Sequence, residues 1–178
     1  MGRSNGARAL LAGVVLLAGG CATSLPEAID RPVQPVGLLQ AQQEAGAWVG
    51  RTVRWGGTIA KVENRAEETW VEVVARRLDN GARPVVEDRS DGRFLARVSG
   101  FLDPAIYAPG RLFTVVGTLE RPVTRTIGDY AYRFPVVRVD GYQLWEPLPE
   151  PRAYPYPYGW YDPWYPWRRP WLHDPYWW

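Results

Sequence analysis

Between Arg51 and Trp145 apolar and polar positions alternate in short runs, each bounded by glycine, proline or aspartate. RTVRWGGTIAKVE sets Val53 and Trp55 two residues apart, the period of a strand with one covered face. Gly56 and Gly57 inside it predict a bulge or a sharp bend. TWVEVVARRL (Thr69 to Leu78), RFLARVSGFL (Arg93 to Leu102) and RLFTVVGTLE (Arg111 to Glu120) are rich in β-branched and aromatic residues and predict three more strands. DYAYRFPVVRVDGYQLW (Asp129 to Trp145) predicts another, with Pro135 at an edge, a bulge or a break. The turn signals between them are Asp79-Asn80-Gly81, Ser90-Asp91-Gly92, Asp103-Pro104 and Pro109-Gly110. Five or six strands in so short a stretch predict a mainly β domain, a small antiparallel barrel of the OB-like kind. A sandwich is the alternative, because strand order leaves no trace in hydropathy.

Ahead of the strands, LLQAQQEAGAW (Leu38 to Trp48) holds good helix formers with Gly50 beyond them, and predicts a short helix. ATSLPEAIDRPVQPVG, residues 22–37, bears prolines without periodicity and reads as a tether. The first twenty residues follow a secretory pattern, with basic Arg3 and Arg8 and then the apolar run ALLAGVVLLA from Ala9 to Ala18. That run is too short to span a bilayer.

The formal net charge of +2 comes from Arg3 and Arg8, so the remainder is neutral and no field for nucleic acid is expected. Cys21 is the single cysteine, which excludes an internal disulfide. It stands directly after Gly19 and Gly20, at the expected cleavage point between Gly20 and Cys21. AGGC followed by Ala22 resembles the lipobox of bacterial lipoproteins, with Ala18 where leucine is most usual. The resemblance implies cleavage before Cys21, a diacylglyceryl thioether on its sulfur and an acylated amine. Three acyl chains, at about 0.8 kcal/mol per buried methylene, make a stable anchor. In lipoproteins of this kind an Asp after the cysteine marks inner-membrane retention; Ala22 implies the outer membrane instead.

Candidate chemistry is sparse. The single His, His173, lies far from the strands, so a Ser-His-Asp arrangement is not expected. No HisGluXaaXaaHis or CysXaaXaaCys spacing occurs, and neither a metal nor a cofactor is expected. The acid pairs Glu67-Glu68 and Glu87-Asp88 read as solvated edges, and Asp103 as a turn former. Arg54-Trp55, Arg93-Phe94 and Tyr132-Arg133-Phe134 interleave cations with aromatics. On a barrel face such pairs could stack a sugar or a base; alternation alone would instead put the aromatics inside and the arginines outside.

After Trp145 the composition changes. YPYPYGWYDPWYPWRRPWLHDPYWW, from Tyr154 to Trp178, contains twelve Trp or Tyr and six Pro among its twenty-five residues. Those prolines exclude a regular helix, so residues 146–178 are expected to form a disordered or extended tail. Trp160, Trp164, Trp167, Arg168, Arg169 and Trp171 are its candidate contacts with a membrane or a partner, since Trp favours the bilayer interface and Arg favours phosphate. A functionally idle tail is the alternative.

VRWGGTIAKVEN, TWVEVVARRLDNGARP, GRFLARVSGFLDPAIYAPGRLFTVVGTL and DYAYRFPVVRVDGYQLW occur in that order, between a lipobox and an aromatic tail. Together they resemble the Slp (starvation lipoprotein) family of bacterial outer-membrane lipoproteins, from Cys21 to Trp145. The FLDP…Y…GR…TVVG block is the most specific part. The resemblance implies no catalytic set, and only the acylated cysteine carries over, onto Cys21. The expected organisation is a signal peptide over 1–20, lipidated Cys21 and tether over 21–45, barrel over 46–145 and tail over 146–178. The expected function is a non-enzymatic structural or interaction role in the envelope, linked to stress or stationary phase, with the domain facing the periplasm. Expected partners are outer-membrane lipid through Cys21, and an envelope protein, peptidoglycan or lipopolysaccharide. The alternative functions are a barrel-face module for a glycan or other envelope ligand and, more remotely, an enzyme using carboxylates.

Overall fold

The computed structural model describes residues 24–44 and 46–147. Within them five strands follow in sequence: β1 (Thr52–Asn64), β2 (Glu68–Arg76), β3 (Arg93–Ser99), β4 (Leu112–Ile127) and β5 (Tyr130–Leu144). They close a barrel in the order β1-β2-β3-β5-β4. This is the small OB-like barrel that the hydropathy pattern predicts, with one correction. The β3–β5 pairing is parallel, with Leu95 opposite Val136, while the other four pairings are antiparallel. Strands that alternate in direction put β3 and β5 the same way up, so a barrel that closes β3 on β5 must contain one parallel pair.

Alternation fills the inside. Val53 and Trp55 from β1, Val71 and Val73 from β2, Phe94 and Ala96 from β3, and Phe113 and Val115 from β4 form one buried cluster with Val137 from β5. Trp55 and Phe94 meet edge to face at 5.5 Å between centroids, the favoured geometry for two quadrupoles. At Gly56 and Gly57, β1 pairs with β2 and β4 at once. A Cβ on Gly57 would overlap the Val74 carbonyl, and one on Gly56 would meet Thr114 Oγ1 at 2.6 Å. The glycine pair therefore serves close backbone approach. The bulge predicted there sits further along, between Ile59 and Lys61. Pro135 does lie at an irregularity, where the β4–β5 register shifts between Glu120 and Val123 and a missing N–H costs no ladder bond.

The two barrel ends are closed differently. Leu38 and Ala41 of helix α1 (Leu38–Gln43) plug the end where β1 begins. The helix stops at Gln43, short of the predicted Trp48, since its two buried residues lie within this stretch and the chain must reverse into β1. Gly50, at φ 83°, makes that reversal. The opposite end is covered by the β3–β4 connection, which buries Leu102 and leans Tyr107 on Phe113 and Tyr142. Thr69, fully buried, donates to the Gly100 carbonyl (2.8 Å) and accepts the Leu102 N–H (3.1 Å), fixing that connection to β2.

The expectation of a tether over residues 22–37 is corrected for the described part. From Leu25 the chain packs as a strap along the outside of β4 and β5, with hydrogen bonds to β1. Ile29, fully buried in a short 3-10 turn (Glu27–Ile29), clusters with Val116 and Ala82, and Leu25, Val33, Leu78 and Trp145 close around them. Arg54 Nε donates to the Ile29 carbonyl (3.0 Å), and the Trp55 indole to the Val36 carbonyl (2.9 Å). Gly141 is bare because a Cβ there would overlap the Ala28 carbonyl. Apolar positions at 25, 29, 33 and 36 are the signal that the prolines obscured.

Candidate functional site

Gly20, Cys21, Trp160, Trp164, Trp167, Arg168, Arg169 and Trp171, with the signal segment and the aromatic tail, lie outside the described residues. What can be built from the residues upward is the barrel surface.

The outer face of β2 and β3 is where an OB-like barrel presents ligands. Here that face carries Trp70 and Leu95 beneath the β4–β5 hairpin, whose Val123, Ile127, Tyr132 and Phe134 pack on them. Around this apolar patch runs an ionic ladder. Arg93 pairs with Glu72 at 2.5 Å, Arg97 bridges Glu68 (3.0 Å) and Glu120, and Arg125 reaches Glu63 at 3.0 Å. Arg65 and Arg125 each stand 4.7 Å from the Trp70 ring, a cation–π arrangement on one indole.

The three Arg–aromatic pairs resolve on this geometry. Trp55 and Phe94 point into the barrel and Phe134 is fully buried under the hairpin. Arg54 caps carbonyls of the strap and Arg93 pairs with Glu72. Tyr132 spends its hydroxyl accepting the Arg93 N–H at 2.8 Å. Of the two arrangements open in the sequence, alternation governs, and no stacking platform is presented by these pairs.

Two carboxylates of this face, Glu63 and Glu68, are held as anions. The Trp70 indole N–H (2.6 Å), and then Arg97, keep Glu68 below the usual carboxylate range. Lys61 (2.7 Å), and then Arg125, do the same for Glu63 against the opposing effect of burial. Glu120, and then Glu68, raise Arg97 in return. A general acid needs the reverse shift. Glu67 is exposed, Glu87 stands 3.9 Å from Arg77, and Asp88 is exposed. Asp103 accepts the Ala105 N–H at 2.8 Å and makes the predicted turn. Asp79 likewise accepts the Gly81 and Arg83 N–H groups, both at 2.9 Å. Among the described residues no group of three His, Cys, Asp or Glu could hold a metal.

A polar cleft of about 320 Å³ is lined by Arg77, Glu87, Arg89, Ser90 and Asp91 of the β2–β3 loop. Ser90 donates to the Ala75 carbonyl (2.8 Å), so its hydroxyl is engaged in the loop. At the far end of the barrel Tyr107 is pushed up to about 12, by burial and then by its neighbour Tyr142. It is a packed phenol and not a proton donor near neutrality.

Comparison with known proteins decides what the surface alone does not. Residues 18–177 match the Outer membrane lipoprotein Slp family. The chain belongs to that family. Membership makes it a lipid-anchored lipoprotein of the outer membrane. It is 35% identical over 181 residues to the "Uncharacterized lipoprotein YeaY" of Escherichia coli K12, covering 90% of this chain and 93% of that one. It is 33% identical over 140 residues to the "Outer membrane protein Slp" of the same organism, covering 77% and 73%. A Haemophilus influenzae "Uncharacterized protein" is 36% identical over 96 residues, covering 53% and 52%. None of these names states a reaction.

Proposed function

We propose that this Slp-family lipoprotein acts without catalysis, as a structural or interaction element of the cell envelope. Cys21 carries its acyl anchor after cleavage at Gly20. The barrel, facing the periplasm, is a small rigid body held at the membrane, and the aromatic tail supplies a second, weaker contact with lipid, lipopolysaccharide, peptidoglycan or an envelope protein. Trp160, Trp164, Trp167, Arg168, Arg169 and Trp171 are the tail residues that would make it. The stress or stationary-phase setting is what the family resemblance implies.

The observation that carries the reading is the continuity of the family match, which runs from residue 18 through the cysteine, the barrel and the tail to residue 177. An anchor at one end and an interface-seeking tail at the other, with a barrel face whose Glu63, Glu68, Glu72 and Glu120 are engaged in ion pairs, favour docking over turnover. Because the anchor already holds the chain at a bilayer, even weak tail contacts act at high effective concentration.

Fractionation tests both parts. Cys21→Ser should move the protein to the soluble fraction; retention after a salt wash would mean that the tail or a partner supplies anchoring of its own. Deleting residues 148–178 should leave the barrel folded, by circular dichroism, and weaken crosslinking to lipid or partner in intact cells. Unchanged crosslinking would make the tail idle.

A further inference from the structure

The membrane anchor and the barrel surface are tied by chain length. Leu25, the first residue of the strap to pack, is four residues from Cys21, a reach of at most about 14 Å in extended chain. Wherever the anchor enters lipid, Leu25 is close behind.

The strap runs antiparallel to β1. The carbonyls of Ile29 and Arg31 bond to Arg54, and the Gln34 N–H bonds to the Thr52 carbonyl nearer the start of that strand. Earlier residues of the strap therefore lie toward the opposite end. Leu25 accordingly joins the cluster that includes Trp145, whose N–H bonds to the Leu112 carbonyl where β4 begins. The Arg111 guanidinium spans the same corner, donating to the Trp145 carbonyl (2.9 Å) and to the Ile106 carbonyl (3.2 Å). One end of the barrel thus gathers the anchor side of the strap, Trp145 just past β5 and the β3–β4 connection.

That connection carries two exposed apolar side chains, Phe101 at 72% and Ile106 at 53%. Phe101 follows Gly100, whose φ is 84° and whose N–H is held by the Glu67 carbonyl (2.8 Å), so the loop that presents it is braced. Leu39 in α1 and Val49 just beyond it are also exposed, at the end where β1 begins and away from the Leu112–Trp145 corner. Val86 is in the β2–β3 loop, whose Arg83 reaches the Trp145 ring and the Glu146 carbonyl, and Tyr130 tips the hairpin.

From this placement we infer that the β3–β4 loop is a membrane-contacting element, with Phe101 and Ile106 seated in the headgroup–acyl boundary of the phospholipid leaflet that holds the anchor. Solvated apolar side chains beside a surface that can bury them will enter it. The short link fixes which end of the barrel meets that surface. The inference rests on the reading of Cys21 as the anchored residue.

The test uses the full-length lipidated chain in vesicles of phosphatidylethanolamine and phosphatidylglycerol, with and without a spin-labelled lipid quencher. Phe101→Cys, Ile106→Cys and Leu39→Cys each introduce one thiol for a nitrobenzoxadiazole maleimide. All three positions are exposed, so the fold should tolerate them. Probes at 101 and 106 should lose most of their emission to the quencher lipid, and the probe at 39, at the opposite end, should lose little. Vesicle-bound protein whose probes at 101 and 106 escape quenching overturns the loop contact and leaves the anchor standing. It would point instead to a protein or a second copy as occupant of this end. Thiol labelling of the chain without an introduced cysteine, combined with failure to sediment with vesicles, overturns the anchor reading and the loop contact together.

Discussion

Two outer faces of the same barrel are covered by different means. On the β1–β4 side the strap buries Ile29 against Val116 and Ala82 and is fastened by main-chain carbonyls to Arg54 and Trp55. On the β2–β3 side the hairpin lies on Trp70 and Leu95 inside a ladder of ion pairs. The first cover depends on burial of a few aliphatic groups. The second adds half-exposed charges, whose individual worth is small but whose sensitivity to acid and salt is not.

Three experiments on the released Cys21→Ser form would break or sharpen that contrast. The largest effect is expected from Ile29→Ala, which empties the centre of the strap cluster and should cost about 3 kcal/mol in urea unfolding. Proteolysis should then cut first within residues 24–37. Equal protection of that stretch in both forms would mean that the strap contributes no cover. Arg97→Ala, on the other face, removes the bridge between Glu68 and Glu120 and should cost about 1 kcal/mol, less in high salt. A cost that does not shrink with salt would show that packing, not charge, holds the hairpin. The smallest effect is acid titration. Glu63 and Glu68 are both depressed in the folded state. Their contribution is complete above the unfolded carboxylate value of about 4.3 and is lost as pH falls through the lower folded values. Hydrogen exchange followed from pH 5 downward should therefore loosen around Trp70 and Tyr132 before it loosens around Ile29.

Much of the barrel was legible because its signals are local. Alternation at Val53 and Trp55, and at Phe94 and Ala96, comes from the period of the strand and needs no partner. Asp79, Asp103 and Gly110 mark turns through side-chain hydrogen bonds or positive φ within a few residues. The strap was not legible, since its prolines exclude regular structure and the burial of Ile29 comes from Val116 of β4, far along the chain. The role of Gly56 and Gly57 was half legible: two glycines announce a special backbone, but only the neighbouring strands show that close approach, not a bulge, is the reason. Phe101 reads from sequence as part of the strand Arg93 to Leu102 and Ile106 as part of a connection; only the structure ends β3 at Ser99 and leaves both exposed on the loop that caps the barrel.

By itself the sequence determined the strand content, the turns, the place of the lone cysteine behind an apolar leader and the break in composition after Trp145. These rest on chain-local sterics, hydropathy and residue chemistry. Only the tertiary structure decided the parallel closure of β3 on β5, the inward aim of Trp55 and Phe94 beside their arginines and the pairing that holds Glu63 and Glu68 as anions. It also brought the anchor side of the strap, Trp145 and the β3–β4 loop to one end of the barrel. The physical reason is that such meetings depend on contacts between segments far apart in the chain, where hydropathy carries no record of which face finds which.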